Sequence, residues 1–156
     1  MTTKRTQAAD ALTDLIIDVL RLNGLLMTAG DRMVARLGLT SPRWQVLRAI
    51  YDAERAQPVA WLARDMGGNR QNVQRIVNDL QKMGLVTLEV NPHHRRASLV
   101  VLTEKGRRTY DEASRVQAPW ANALSQDLAI KDIDTTRRVV AALRKKLELN
   151  GEPAST

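Results

Sequence analysis

The sequence predicts a mainly helical α+β fold with one small β-hairpin, and three observations carry that expectation. Apolar residues recur at steps of three and four along most of the chain, the spacing of amphipathic helices. Only two short runs, "LVTLEV" at 85–90 and "SLVVL" at 98–102, look like strands. Aromatics are 3% of the 156 residues and Phe is absent, so the core must come from Leu, Val, Ile, Ala and Met. That composition favours helix over a β-sandwich.

After a polar tail, residues 8–37 read as one long helix, with Leu12, Leu15, Ile16, Val19, Leu22 and Leu26 on a single stripe. Gly24 and Gly30 weaken it locally without ending it. "LTSPRW" starts a second helix over about 42–55: Ser41 is the expected cap, and Pro42 suits the first position, where no amide hydrogen is needed. Trp44, Leu47 and Ile50 face inward. Pro58 opens a short third helix carrying Val59, Leu62, Ala63 and Met66. "GGN" breaks the chain, and Asn69 caps a fourth helix over about 70–83 with Val73, Ile76, Val77 and Leu80 on its buried side. Gly84 ends it, and the two strand-like runs follow, joined by a polar tip. Thr103 caps a fifth helix running to about Leu128, which Pro119 is expected to kink. A last helix over about 131–149 has Ile133, Thr136, Val140, Leu143 and Leu147 on one face.

The middle of the chain, 40–103, is thus three short helices and a hairpin. The flanks, 1–39 and 104–156, carry apolar stripes longer than so small a middle can cover. Such stripes need a partner, and a second copy of the chain is the simplest one, so a symmetric homodimer is expected.

A net charge of +7, from 24 Lys and Arg against 17 Asp and Glu, points to a polyanionic partner. The absence of Cys excludes disulfides, thiolate metal sites, a thiol nucleophile and cysteine redox sensing. There is no long apolar run of the signal-peptide or membrane-spanning kind, so a soluble cytoplasmic protein with no membrane partner is expected. Catalytic residues are not expected: no paired carboxylates, no phosphate loop of the Gly-Lys-Ser/Thr type and no His beyond His93 and His94. Neighbouring His93 and His94 on a loop, with no third His or Cys, do not make a metal site, and no cofactor is expected.

The exposed side of the fourth helix is the informative surface. Asn69, Arg70, Gln71, Asn72, Gln74, Arg75 and Asn78 avoid the apolar stripe, and no acidic residue appears before Asp79. Surface helices usually mix Glu with Lys. Arg, Gln and Asn are instead the side chains that pair with guanine and adenine edges, so double-stranded DNA is the expected partner. Arg95 and Arg96 on the hairpin tip suit phosphate or minor-groove contact, and Lys105, Arg107 and Arg108 extend the positive charge.

The segments "LTSPRWQVLRAI", "LARDMGGNRQNVQRIVNDLQKMGLV" and "RRASLVVLTEKG", with the long first helix and the "APWANAL" helix, resemble the MarR family of bacterial winged helix-turn-helix regulators. The resemblance implies a winged helix-turn-helix domain over 40–103 and dimerisation helices in 1–39 and 104–156. It implies that Asn69, Arg70, Gln71, Asn72, Gln74 and Arg75 lie in the major groove, with Arg95 and Arg96 on a wing over the minor groove. It further implies a transcriptional regulator, more often a repressor, that binds a pseudo-palindromic operator and is released by a small ligand. Family ligand pockets lie near the position of Trp44, and Arg43 beside it suits an anionic ligand; Trp120 is a second aromatic candidate. The missing cysteine leaves a small aromatic or phenolic effector as the expectation. Two departures stand out: His94 replaces the aspartate that commonly precedes the paired arginines, and Asn91 stands where an aspartate is frequent. Gly68 also replaces an apolar residue in the helix-turn-helix turn. The rival reading is a sequence-tolerant architectural DNA-binding protein on the same fold.

Overall fold

The computed structural model describes residues 4–150. Its elements are helix α1 (Gln7–Val34) with a 3-10 turn (Ala35–Leu37), α2 (Ser41–Asp52), strand β1 (Gln57–Pro58), α3 (Val59–Asp65), α4 (Arg70–Lys82), β2 (Val86–Glu89), β3 (Leu99–Leu102), α5 (Glu104–Leu124) and α6 (Ile130–Asn150). The chain divides into two compact units, one up to Val116 and one from Gln117.

In the first unit the helical stripes converge on one core. Val34 comes from α1, Val46 and Leu47 from α2, Leu62 from α3, Val77 and Leu80 from α4. Leu85 and Val100 close it from the sheet side. Burying each such side chain contributes about 1.5–3 kcal/mol, which makes this cluster the chief reason the short helices hold their places. The core also draws on Leu39, Tyr110 and Ala113, just outside residues 40–103. Tyr110 of α5 stacks on Tyr51 of α2, with ring centroids 4.2 Å apart.

The sheet has three strands rather than a bare hairpin. Its order is β1-β3-β2, all antiparallel, with Gln57 opposite Val100, Pro58 opposite Leu99, and Val86 opposite Leu102. β1 is two residues long and ends in proline at the sheet edge, where a missing amide hydrogen is tolerated.

Ser41 is not the cap of α2. Thr40 takes that role, and Ser41 is the first helical residue. The Ser41 hydroxyl donates to the Met27 carbonyl at 2.7 Å, and its amide donates to Asp31 Oδ1 at 2.6 Å. Gly30 leaves room for that hydroxyl. Ser41 thus fastens α2 to α1. The first helix also ends earlier than its pattern suggests, at Val34 rather than 37. The fifth ends at Leu124, and its connection to α6 contains Asp127 with φ 64°.

The turn between α3 and α4 follows from its glycines. Gly67 has φ +64°, a left-handed conformation that closes α3, and the Gly68 amide donates back to the Ala63 carbonyl at 2.8 Å. At the far end of α4, α5 supplies the caps. Thr103 donates to the Gly84 carbonyl at 2.7 Å and accepts from the Gly106 amide at 3.0 Å. Lys105 Nζ donates to the Met83 carbonyl at 2.8 Å, a cation at the negative end of the helix. Gly106 is required here, because a Cβ would run into the Leu85 carbonyl.

The second unit comprises the end of α5, including Pro119, and α6. Ile133, Val140 and Leu147 on α6 are exposed. In the first unit, α1 likewise exposes Ile16, Val19, Leu20, Leu22, Leu25 and Leu26. No helix among the described residues is long and apolar enough to cross a membrane.

Candidate nucleic-acid interface

α4 is amphipathic: Val73, Ile76, Val77 and Leu80 are buried, and the remaining positions are exposed or half-buried. Asn69 caps it, with Oδ1 accepting from the Gln71 amide at 2.8 Å and the Asn72 amide at 3.2 Å. Arg70, Gln71, Asn72 and Arg75 are exposed, and Gln74 is half-buried. Their polar groups are ordered in pairs one turn apart. Arg75 donates to Asn72 Oδ1 at 2.9 Å, and Gln74 Nε2 donates to Asn78 Oδ1 at 2.9 Å. The surface therefore presents preformed amide and guanidinium groups of the kind that read base edges.

Asp79, the sole acidic residue of α4, is turned toward α2. Its Oδ2 lies 3.2 Å from Arg43 and 3.9 Å from Arg75. The carboxylate thus anchors the helix to α2 through the shorter contact with Arg43. Arg43 is consequently committed to Asp79. Trp44 beside it packs against the core, and its indole Nε1 is buried without a hydrogen-bond partner. A buried donor left unmatched costs about 1–3 kcal/mol, which makes that nitrogen a group in want of an acceptor. Trp120 belongs to the second unit.

The segment between β2 and β3 is a looped tip, held without the expected aspartate. Asn91 is 8% exposed, and its Oδ1 accepts from the His93 amide at 3.0 Å. The Asn91 carbonyl accepts from the His94 amide at 3.2 Å, and the His94 carbonyl accepts from the Ala97 amide at 2.9 Å. Asn91 therefore does the fastening and His94 takes part through its backbone. Arg95 and Arg96 project from this tip and are exposed. Lys105, part of the same stretch of positive charge in the sequence, is engaged at the end of α4.

Two residues absent from the sequence expectations join this surface. A cleft of about 780 Å³ opens between α3, the start of α4 and the hairpin tip. Arg55, Trp61, Arg70, His93, His94 and Arg96 line it, and none of its lining residues is acidic. Trp61 is 42% exposed, with the Arg55 guanidinium 5.6 Å and the Arg64 guanidinium 5.8 Å from its ring centroid. The available signal was a Trp on the polar side of "VAWLARD", which the apolar pattern of α3 leaves unassigned.

Three short helices, the second pair joined by a glycine turn, with a basic antiparallel hairpin beside the outward helix, define the winged helix-turn-helix class of transcriptional regulators. Comparison with known proteins narrows this. A profile of the MarR family matches residues 37–97. Over 140 residues the chain is 40% identical to an uncharacterised protein of Mycobacterium tuberculosis, covering 87% of this chain and 96% of that protein. Among solved structures it resembles the M. tuberculosis transcriptional regulator MosR in complex with DNA, with a TM-score of 0.74 at 23% identity, covering 88% of this chain and 98% of that one. It also resembles CouR from Rhodococcus jostii RHA1 bound to p-coumaroyl-CoA, with a TM-score of 0.75 at 21% identity, covering 84% of this chain and 92% of that one. The chain belongs to the MarR family of transcriptional regulators.

Proposed function

We propose that this protein is a homodimeric repressor that occupies a pseudo-palindromic operator and leaves it when a small aromatic or phenolic ligand binds. The observation that carries the reading is the outward face of α4, where Arg70, Gln71, Asn72, Gln74 and Arg75 follow the Asn69 cap and the one carboxylate turns away to Arg43. In this reading these six residues enter the major groove. Arg95 and Arg96 neutralise phosphates or enter the minor groove alongside. Two copies of α4 in a symmetric dimer address half-sites about 10 base pairs apart, one helical turn.

Dimerisation is supported by the exposed apolar residues of α1 and α6, which a monomer would leave in water. Residues 1–39 and 104–156 then carry the interface, and 40–103 carries the DNA contacts. For the ligand, support comes from the unmatched Trp44 Nε1, a donor ready for a phenol or carboxylate oxygen. An anionic ligand that also recruited Arg43 would compete with Asp79 for it, and so would disturb α4 directly. Ligand binding that favours a wrong separation of the two recognition helices then shifts the population off DNA.

The test is selection of bound fragments from genomic DNA, followed by affinities for the selected site and for random duplex. A regulator prefers its site by at least about a thousandfold, and a smaller ratio would favour the architectural reading. Arg75→Ala should lose sequence discrimination. Arg96→Ala should weaken binding to all duplexes and lower the salt slope by about one. Parent-like operator binding in both variants refutes the assigned surface.

A further inference from the structure

The cleft beneath the hairpin tip has walls that belong to two different parts of the DNA surface. Arg70 stands at the start of the major-groove helix, and Arg96 stands on the wing. A sugar–phosphate strand that separates the two grooves must pass between these residues. The floor it crosses is formed by α3 and the turn before β1, through Trp61 and Arg55.

From this juxtaposition we propose that the cleft seats the DNA backbone strand, with Arg55 binding a phosphate and Trp61 holding the Arg55 guanidinium and packing on the deoxyribose. The inference rests on the DNA-binding reading above and adds a third contact element to it. Charge favours this occupant: Arg55, Arg70 and Arg96 line the cleft, and no lining residue is acidic. The stacking of Arg55 on Trp61 at 5.6 Å restrains a side chain that is otherwise costly to order, so the phosphate finds its donor already placed. A smaller recess shares Arg70 and Arg96 with the cleft and is lined as well by Gln74, one of the residues named for base reading. A backbone contact of this kind positions the helix without reading sequence.

The experiment uses the full chain and measures affinity for the selected operator and for random duplex across a salt series. Arg55→Ala and Trp61→Ala should each weaken both duplexes by a similar factor, about tenfold for Arg55→Ala. The operator preference should stay at the parent value, and Arg55→Ala should lower the salt slope by about one. Arg55→Lys, which keeps the charge, should restore the slope. Should Trp61→Ala lower the thermal midpoint, Trp61→Phe keeps the ring and separates packing from folding. Parent-like binding by the Arg55 and Trp61 variants, while Arg96→Ala weakens binding, overturns the cleft proposal and leaves the DNA reading intact. Parent-like binding by all of them, Arg75→Ala included, overturns both. Phenyl phosphate serves as a small-anion probe. If it quenches Trp61 fluorescence while the same variants leave DNA affinity unchanged, the cleft is a small-ligand site and the proposal falls.

Discussion

Asp79→Ala removes the carboxylate that joins α2 to the recognition helix, and its effect can be worked out from two distances. Arg43 and Asp79 lie 3.2 Å apart with side chains 31% and 26% exposed, a partly buried, charge-assisted contact. Exposed pairs contribute about 0.2–1 kcal/mol, and hydrogen bonds to charged groups about 1.5–3 kcal/mol. The intermediate burial places this pair at about 1–2 kcal/mol. The Arg75–Asp79 contact is different: 3.9 Å, with Arg75 68% exposed and the arginine on the N-terminal side, the weaker order for an i,i+4 pair. It contributes at most about 0.5 kcal/mol. Asp79 therefore stabilises the fold through Arg43 and only aims Arg75.

That division is measurable by urea unfolding at fixed protein concentration, using Arg43→Ala, Arg75→Ala, Asp79→Ala and the two double variants. The 43–79 coupling should be about 1–2 kcal/mol and the 75–79 coupling about 0.5 kcal/mol or less. On DNA, Asp79→Asn deletes a negative charge from beside the surface proposed to meet phosphate and loosens Arg75. Affinity for random duplex should rise a few-fold while the preference for the operator falls. A 43–79 coupling within about 0.3 kcal/mol of zero, or an operator preference unchanged in Asp79→Asn, would sink the reasoning.

Gly106→Ala should be severely destabilising, by more than about 3 kcal/mol, because the new methyl meets the Leu85 carbonyl, which is itself the acceptor of the Thr103 amide; a urea midpoint near the parent value would contradict the packing. Gly68→Ala should stabilise by about 0.4–1 kcal/mol, since its Cβ meets only ordinary contacts at 3.5 Å and beyond, whereas Gly67→Ala, at φ +64°, should destabilise by about 1 kcal/mol. Differential scanning calorimetry that ranked the two variants the other way would contradict the turn geometry. Asn91→Ala should cost about 1 kcal/mol locally and open the tip, read as faster tryptic cleavage at Arg95 and Arg96, and Asn91→Asp should restore protection because a carboxylate accepts the same His93 amide. Equal cleavage rates in all three proteins would show that Asn91 does not fasten the tip.

What was legible in the sequence was whatever a residue does within its own element. The stripe of Val73, Ile76, Val77 and Leu80 set the buried side of α4, so its exposed side followed by elimination. Asn69 and Thr103 were readable as caps because each acts on the helix it begins. Ser41 was misread for the complementary reason. Next to Thr40, either hydroxyl can cap α2, and what decides is the Met27 carbonyl on α1, fourteen positions away. β1 was missed because two residues carry no period, and its partner β3 lies some forty positions on. The same holds for Arg43 with Asp79 and for Lys105 with Met83, where any cation of sufficient reach would satisfy the pattern.

The hairpin tip shows how far such elimination reaches. Its sequence reveals that the expected aspartate is missing, and it offers His94 as the oddity to be explained. The geometry moves the question to Asn91, whose amide oxygen performs the acceptor's part from the buried base of the tip. An amide can do so without a charge, and this matters beside phosphate. A carboxylate at the tip would both orient an arginine and repel the strand, whereas Asn91 holds the turn and leaves the positive charge of Arg95 and Arg96 undiminished. With Asp79 drawn toward α2, and no acidic residue lining the cleft between Arg70 and Arg96, acidic groups are placed away from the path proposed for the DNA strand.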